Sequence, residues 1–148
     1  MRFSRYQYVN EQPRYGWVLK DQIGLLEGKP YEEFRRMEIE RSLDSVKLLP
    51  PVLPGKIIGV GRNYADHARE LNHPIPDMPM LFLKAPSALI GPGDLIVTPP
   101  QSSQVEHEAE LAVVIGKKAR WVQPEQAHQV ILGYTIANDM TARDLQRK

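Results

Sequence analysis

Three glutamates within five residues, Glu106, Glu108 and Glu110 in VEHEAELAVVIG, are the densest chemistry in the chain. Side chains alternate along an extended strand, so the three carboxylates would share one face while His107, Ala109 and Leu111 share the other. Glutamate is a poor strand former, and neighbours two apart stand about 7 Å from each other. At that spacing each adjacent pair repels by about 2 kcal/mol at an effective dielectric of 20, but by only about 0.6 kcal/mol in water. A solvated face tolerates such a cluster; a buried one demands a cation. A further carboxylate, Asp139 in GYTIANDMTARDLQ, falls where a strand-like run gives way to a loop. This all-oxygen group suits Mg²⁺ or Mn²⁺, with Ca²⁺ as an alternative, better than Zn²⁺. An ion held there can polarise a chelating substrate. On its own, Asp139 also reads as a turn or helix-cap residue.

A second constellation is His67 with Glu70 in NYADHAREL. Three residues apart, they share one face of a helix. A carboxylate beside an imidazole fixes its tautomer and raises its basicity, which is what a general base for water needs. The same spacing also fits an ordinary surface pair on an amphipathic helix. His73 and His128 lack any partnered pattern and read as surface or loop residues. GVGRNY has neither the spacing of a dinucleotide fingerprint nor a GK[ST] sequence, and Ser87, Ser102 and Ser103 lie in no nucleophile elbow. Nucleotide-dependent and serine-hydrolase chemistry are therefore poorly supported.

The elements that must carry these residues are short. Thirteen prolines in 148 residues exceed the usual share of about 5% and rule out a long helix or coiled coil. RFSRYQY, WVLK and DQIGLLEG read as strands of a small β unit over residues 1–50. YEEFRR (31–36) reads as a helical turn or two, and the charged stretch that follows has weak periodicity. Pro50, Pro51 and Pro54 mark a stiff boundary, after which a second unit occupies 51–148. There KIIGVG suits a buried strand and NYADHARELN a short helix. Residues 80–84 and 95–98 are strand candidates, VEHEAELAVVIGKKA carries the longest β signal, PEQAHQVI opens with proline at a first helical position, and GYTIAND returns to strand.

Composition narrows the partners. Residues 1–50 hold nine Lys/Arg against eight Asp/Glu and the remainder ten against ten, so no basic tract points to nucleic acid or a membrane surface. No run of 18 apolar residues and no apolar leader is present, which suggests a soluble cytoplasmic protein. With no cysteine, disulfides, zinc ribbons, thiol nucleophiles and iron–sulfur clusters are excluded.

In their order, KIIGVGRNYADHARE, FLKAPSALIGPGD, VEHEAELAVVIGKKAR and GYTIANDMTARDLQ closely resemble the fumarylacetoacetate hydrolase family in its shorter prokaryotic form. The resemblance implies an α+β, mainly β fold: part of a mixed β-roll behind a small N-terminal β subdomain. It places divalent-metal ligands on Glu108, Glu110 and Asp139, leaving Glu106 as a carboxylate the pattern does not require. It places the water-activating pair on His67 and Glu70, and a substrate contact on Gln146. Arg62, Lys84 and Arg143 are further substrate-binding candidates, although Lys84 also reads as a surface strand-end lysine and Arg143 as a structural ion pair with Asp144 or a neighbour.

The implied chemistry is cleavage of a C–C bond in an acylpyruvate or related 2-oxo acid, with Mg²⁺ or Mn²⁺ stabilising the enolate and the His/Glu pair activating water. Decarboxylating and isomerising members share the enolate step. Family members continue about as far again beyond TARDLQ, so the chain is expected to be a fragment, one half completed by a complementary chain or homodimer partner, or a remnant. A non-catalytic interaction subunit that keeps the metal-site residues is the alternative reading. An incomplete sheet would leave an edge and apolar surface exposed.

Overall fold

The computed structural model describes residues 1–70 and 74–146, with the side chains of His67, Ala68 and Glu70 outside the described set. Strands β1 (Arg2–Gln7), β2 (Arg14–Leu19), β3 (Gln22–Gly28), β4 (Phe34–Ser42) and β5 (Lys47–Leu49) form one sheet in the order β4-β3-β2-β1-β5. Every neighbouring pair is antiparallel. Its buried apolar residues are Tyr6 and Ile23 on one face and Leu26 on the other. Trp17 Nε1 donates to the Met37 carbonyl at 2.9 Å, and the Arg41 guanidinium lies 3.8 Å from the Tyr8 ring centroid.

Residues 31–36 do not form the expected helical turn. A turn closed by the Glu32 N–H on the Lys29 carbonyl at 3.0 Å leads directly into β4. Along that strand Met37, Ile39 and Arg41 are half-buried while Glu38, Glu40 and Ser42 are exposed. This is a two-residue alternation, in which the inward arginine disguises the apolar stripe.

Past the prolines come β6 (Ile57–Gly61), α1 (Ala65–Glu70), β7 (Met80–Lys84), β8 (Val105–Glu106), β9 (Ala109–Ile115), β10 (Ile131–Asn138), β11 (Thr141–Ala142) and α2 (Arg143–Gln146). They make three antiparallel ribbons: β6 with β7, β9 with β10 and β8 with β11. PEQAHQ forms a short 3₁₀ helix with Pro124 in its first turn. Among the described residues no helix is long and apolar enough to cross a membrane.

Two expectations change here. Residues 95–98 lie in no strand, and Leu95 and Val97 are 85% and 81% exposed; alternation and apolarity favour a strand, but a ladder partner is needed to make one. VEHEAELAVVIG is two strands rather than one. The chain leaves the β8 ladder at His107 and enters the β9 ladder at Ala109, so the three glutamates do not form one continuous row.

The fold is mainly β, as expected, but open. Its surface of 11577 Å² compares with about 7,700 Å² for a compact monomer of this mass. Much of the excess is apolar: Leu111, Val113, Ile115, Tyr134 and Ile136 of the β9–β10 ribbon are all exposed. The buried residues of the N-terminal sheet are closely packed: a Cβ added at Gly16 would stand 2.7 Å from Ile23 Cγ1 and 2.9 Å from Tyr6 Cε1. Gly16→Ala is therefore expected to cost about 1–3 kcal/mol through overpacking. Urea unfolding should show a lower midpoint at an unchanged slope; an unshifted midpoint would mean that this core yields freely.

Candidate metal centre

Register brings the acidic residues together. In the β9–β10 ribbon Ala109 faces Asn138 and Glu110 faces Ala137. Beyond the last ladder pair, the Asp139 N–H donates to the Glu108 carbonyl at 2.9 Å and the Glu108 N–H to Asn138 Oδ1 at 3.1 Å. These two bonds clamp the open end of the ribbon, so the side chains of Glu108, Glu110 and Asp139 converge. One carboxylate oxygen from each lies within 4.8 Å of the other two.

Asp139 is buried and the glutamates half-buried, an arrangement that requires compensation by cations. Lys84, at the end of β7, forms an ion pair with Asp139 through Nζ and Oδ1. Arg143, at the start of α2, forms one with Glu108 through Nη2 and Oε1. Glu110 is held above the usual carboxylate range, first by desolvation and then by the charge of Glu108, with Lys84 acting in the opposite sense. Three converging oxygens on a partly buried, over-negative site fit a divalent hard cation, whose oxygen ligands sit about 2.0–2.6 Å from the ion. Glu108, Glu110 and Asp139 are the residues that could hold it.

The other residues distribute around this cluster. Glu106 on β8 faces Thr141 on β11 and accepts from Arg143 Nε at 2.9 Å; it is not one of the three converging carboxylates. Arg143 Nη1 donates to Gln146 Oε1 at 3.0 Å, so Arg143 and Gln146 stand together beside Glu108. Arg143 does not pair with Asp144, which instead accepts from the Ser102 hydroxyl at 2.6 Å and the Ser103 N–H at 3.0 Å. Arg62 lies in the exposed turn after β6 with a left-handed φ of 54°. His67 and Glu70 belong to α1, and their side chains lie outside the described residues. His107 and His128 are exposed, whereas His73 lies outside the described residues. Sequence reasoning missed Tyr64, whose hydroxyl accepts from the Leu111 N–H at 2.9 Å. It ties the segment entering α1 to the strand that carries Glu110, and a tyrosine three residues before His67 is the signal that could have suggested it.

The comparisons with known proteins place the chain in a family. The family model described as Fumarylacetoacetate (FAA) hydrolase C-terminal matches residues 56–148, and the one described as Rv2993c-like, N-terminal matches residues 1–51. The chain belongs to the fumarylacetoacetate hydrolase family. It is 48% identical over 99 residues to the mitochondrial oxaloacetate tautomerase FAHD2A of Bos taurus, a match covering 67% of this chain and 32% of that protein. It superposes at a TM-score of 0.87 and 36% identity on 5-carboxymethyl-2-hydroxymuconate delta-isomerase from Mycobacterium smegmatis, covering 99% of this chain and 58% of that one. Maleylpyruvate hydrolase from Sphingobium sp. SYK-6, solved with manganese(II) and pyruvate, matches at a TM-score of 0.72 and 29% identity, covering 97% and 60%. The chain spans less than half the length of the curated relatives it matches.

The hydrogen bonds from Ser102 and Ser103 hold Asp144 well below the usual carboxylate range, at about 2. A folded-state pKa below the unfolded value of about 3.9 stabilises the fold above that value, and the contribution is lost as pH falls through the folded pKa. A carboxylate NMR titration should find Asp144 still ionised at pH 3, and Ser102→Ala should move it back toward the ordinary range. An ordinary value in both proteins would break this link between α2 and the 102–103 turn.

Proposed function

We propose that this family member is a divalent-metal-dependent enzyme that cleaves a C–C bond in an acylpyruvate or related 2-oxo acid. The observation that carries the reading is the convergence of Glu108, Glu110 and Asp139 within 4.8 Å, with two cationic side chains beside them. A bound Mg²⁺ or Mn²⁺ supplies there the positive charge that polarises the carboxylate and 2-oxo oxygens of the substrate. Lys84, Arg143, Gln146 and Arg62 orient its remaining oxygens. His67 and Glu70, one turn apart on α1, take a proton from water at the imidazole and hold the resulting charge, which is worth about 10²–10⁴ in rate.

The N-terminal sheet serves as a separate β subdomain over 1–50, and 51–148 as part of the catalytic unit. The exposed apolar ribbons support covering by a complementary segment or a homodimer partner. A soluble cytoplasmic location, without nucleic-acid or membrane partners, accords with the balanced charge.

One observation favours a second reaction at the same site. The relative in Bos taurus is named an oxaloacetate tautomerase, and keto–enol interconversion of a 2-oxo diacid needs the same charge on the same oxygens plus a proton carrier.

Calorimetry with Mn²⁺ and loss of acylpyruvate enol absorbance test the assignment in the complete protein. Glu108→Ala should abolish Mn²⁺ binding, whereas His67→Ala should leave binding intact and lower turnover by at least about 10². Equal Mn²⁺ affinity in wild type and Glu108→Ala overturns the metal site. Metal binding with no turnover of any 2-oxo acid supports the non-catalytic interaction role instead, and ketonisation of oxaloacetate without cleavage of acylpyruvate supports the tautomerase reading.

A further inference from the structure

Glu106 is the carboxylate that the metal site leaves over, yet both of its oxygens are engaged. Oε2 accepts from Arg143 Nε at 2.9 Å and Oε1 from Gln104 Nε2 at 2.7 Å. The backbone fixes this meeting, because β8 and β11 pair Glu106 with Thr141 and the Arg143 N–H donates to the Gln104 carbonyl at 2.8 Å. The Arg143 side chain is 12% exposed and that of Glu106 46%. A half-solvated glutamate gains little stability from an ion pair. It can, however, set the orientation of its partner: the guanidinium is planar and rigid, so fixing Nε fixes where both terminal nitrogens point. Here they point at Gln146 Oε1, at 3.0 Å, and at Glu108.

We propose that Glu106 is a positioning residue, which with Gln104 holds the Arg143 fork between Glu108 and Gln146 so that it receives a carboxylate of the substrate. The inference rests on the site assigned above and adds to it a specificity device for anionic substrates, carried by the chain Gln104–Glu106–Arg143. Glu106 itself touches neither metal nor substrate. Removing it lets the fork rotate away from the bound carboxylate while the three converging oxygens stay in place.

The test uses oxalate, an unreactive dicarboxylate, on the Mn²⁺-loaded complete protein, with Mn²⁺ binding measured separately. Glu106→Ala is expected to weaken oxalate about tenfold, in the range found for residues that orient a ligand from behind, and to raise KM with kcat nearly unchanged. Glu106→Gln keeps an acceptor for Nε and should recover part of the loss. In an Arg143→Ala background Glu106→Ala should add nothing, and Mn²⁺ affinity should differ by no more than about twofold between each Glu106 variant and its own background. In the diamagnetic Mg²⁺-loaded protein the Arg143 Nε–H resonance is expected downfield and protected in wild type, and it should lose both features in Glu106→Ala.

An effect that persists undiminished in the Arg143→Ala background, or one that is equal in the Gln and Ala variants and appears in Mn²⁺ affinity, overturns the proposal in favour of plain charge. Reduced thermal stability with unchanged oxalate affinity overturns it in favour of a structural staple. Failure of the metal site itself shows differently, as Mn²⁺ affinity indifferent to Glu108→Ala.

Discussion

Three carboxylates forced together and partly withdrawn from water set the terms for the segment that follows the prolines. Asp139 is buried, and desolvation, with the charge of Glu108 behind it, raises the pKa of Glu110, so positive charge has to be supplied within contact distance. Lys84 and Arg143 supply it from two further elements, the end of β7 and the start of α2. The break between β8 and β9 belongs to the same constraint. Had VEHEAELAVVIG run on as one strand, Glu106 would have stood in a row with Glu108 and Glu110, a fourth carboxylate beside the cluster they form with Asp139. Turning the chain at His107 and Glu108 transfers it to another ladder, where it faces Arg143.

The ribbons that carry the site have little packed core beneath them. Buried apolar residues are concentrated in the N-terminal sheet, while β6, β7, β9 and β10 expose Ile58, Leu81, Leu83, Leu111 and Ile136. Hydrophobic burial therefore fixes the carboxylates less than directional bonds do: the clamp between Glu108, Asn138 and Asp139 and the link from Leu111 to Tyr64. Such bonds contribute only about 0.5–1.5 kcal/mol each, but they hold angles, and a ligand set needs angles more than it needs depth.

What could be read from the sequence followed the strength of the local signal. Strands with alternating apolar residues and the short helix at 65–70 stood out, as did Glu106, Glu108 and Glu110, because carboxylates at two-residue spacing are unusual in a strand, whereas the choice of Glu108, Glu110 and Asp139 as a set followed from the family resemblance. β4 was obscured since Arg41 occupies an inward position, its charge laid over Tyr8; periodicity counts apolar residues and cannot see a cation packed on a ring. The stretch at 95–98 misled in the opposite direction, since pairing is a property of two segments and only one was in view. The partners of Lys84 and Arg143 were equally invisible. Each lies far along the chain from the carboxylate it meets, and Arg143 passes over its adjacent Asp144 in favour of Glu106 and Glu108.

The N-terminal sheet has no residue in the site, yet a series of contacts leads from one to the other. Lys47 on β5 pairs with Asp94 at 2.7 Å, and Gly91 lies so near Pro50 that a Cβ added there would stand 3.1 Å from Pro50 Cδ, a tight contact. Those contacts anchor the 91–94 turn, which Asp94 closes on the Gly91 N–H at 2.8 Å. From that turn the chain runs through unpaired residues to Ser102 and Ser103, which grip Asp144 and so seat α2. Arg143 precedes Asp144, and its position follows from the same grip. Each link is a short-range bond that a side-chain change could cut, so the sheet's contribution to the site is one of placement, transmitted through two turns to a guanidinium.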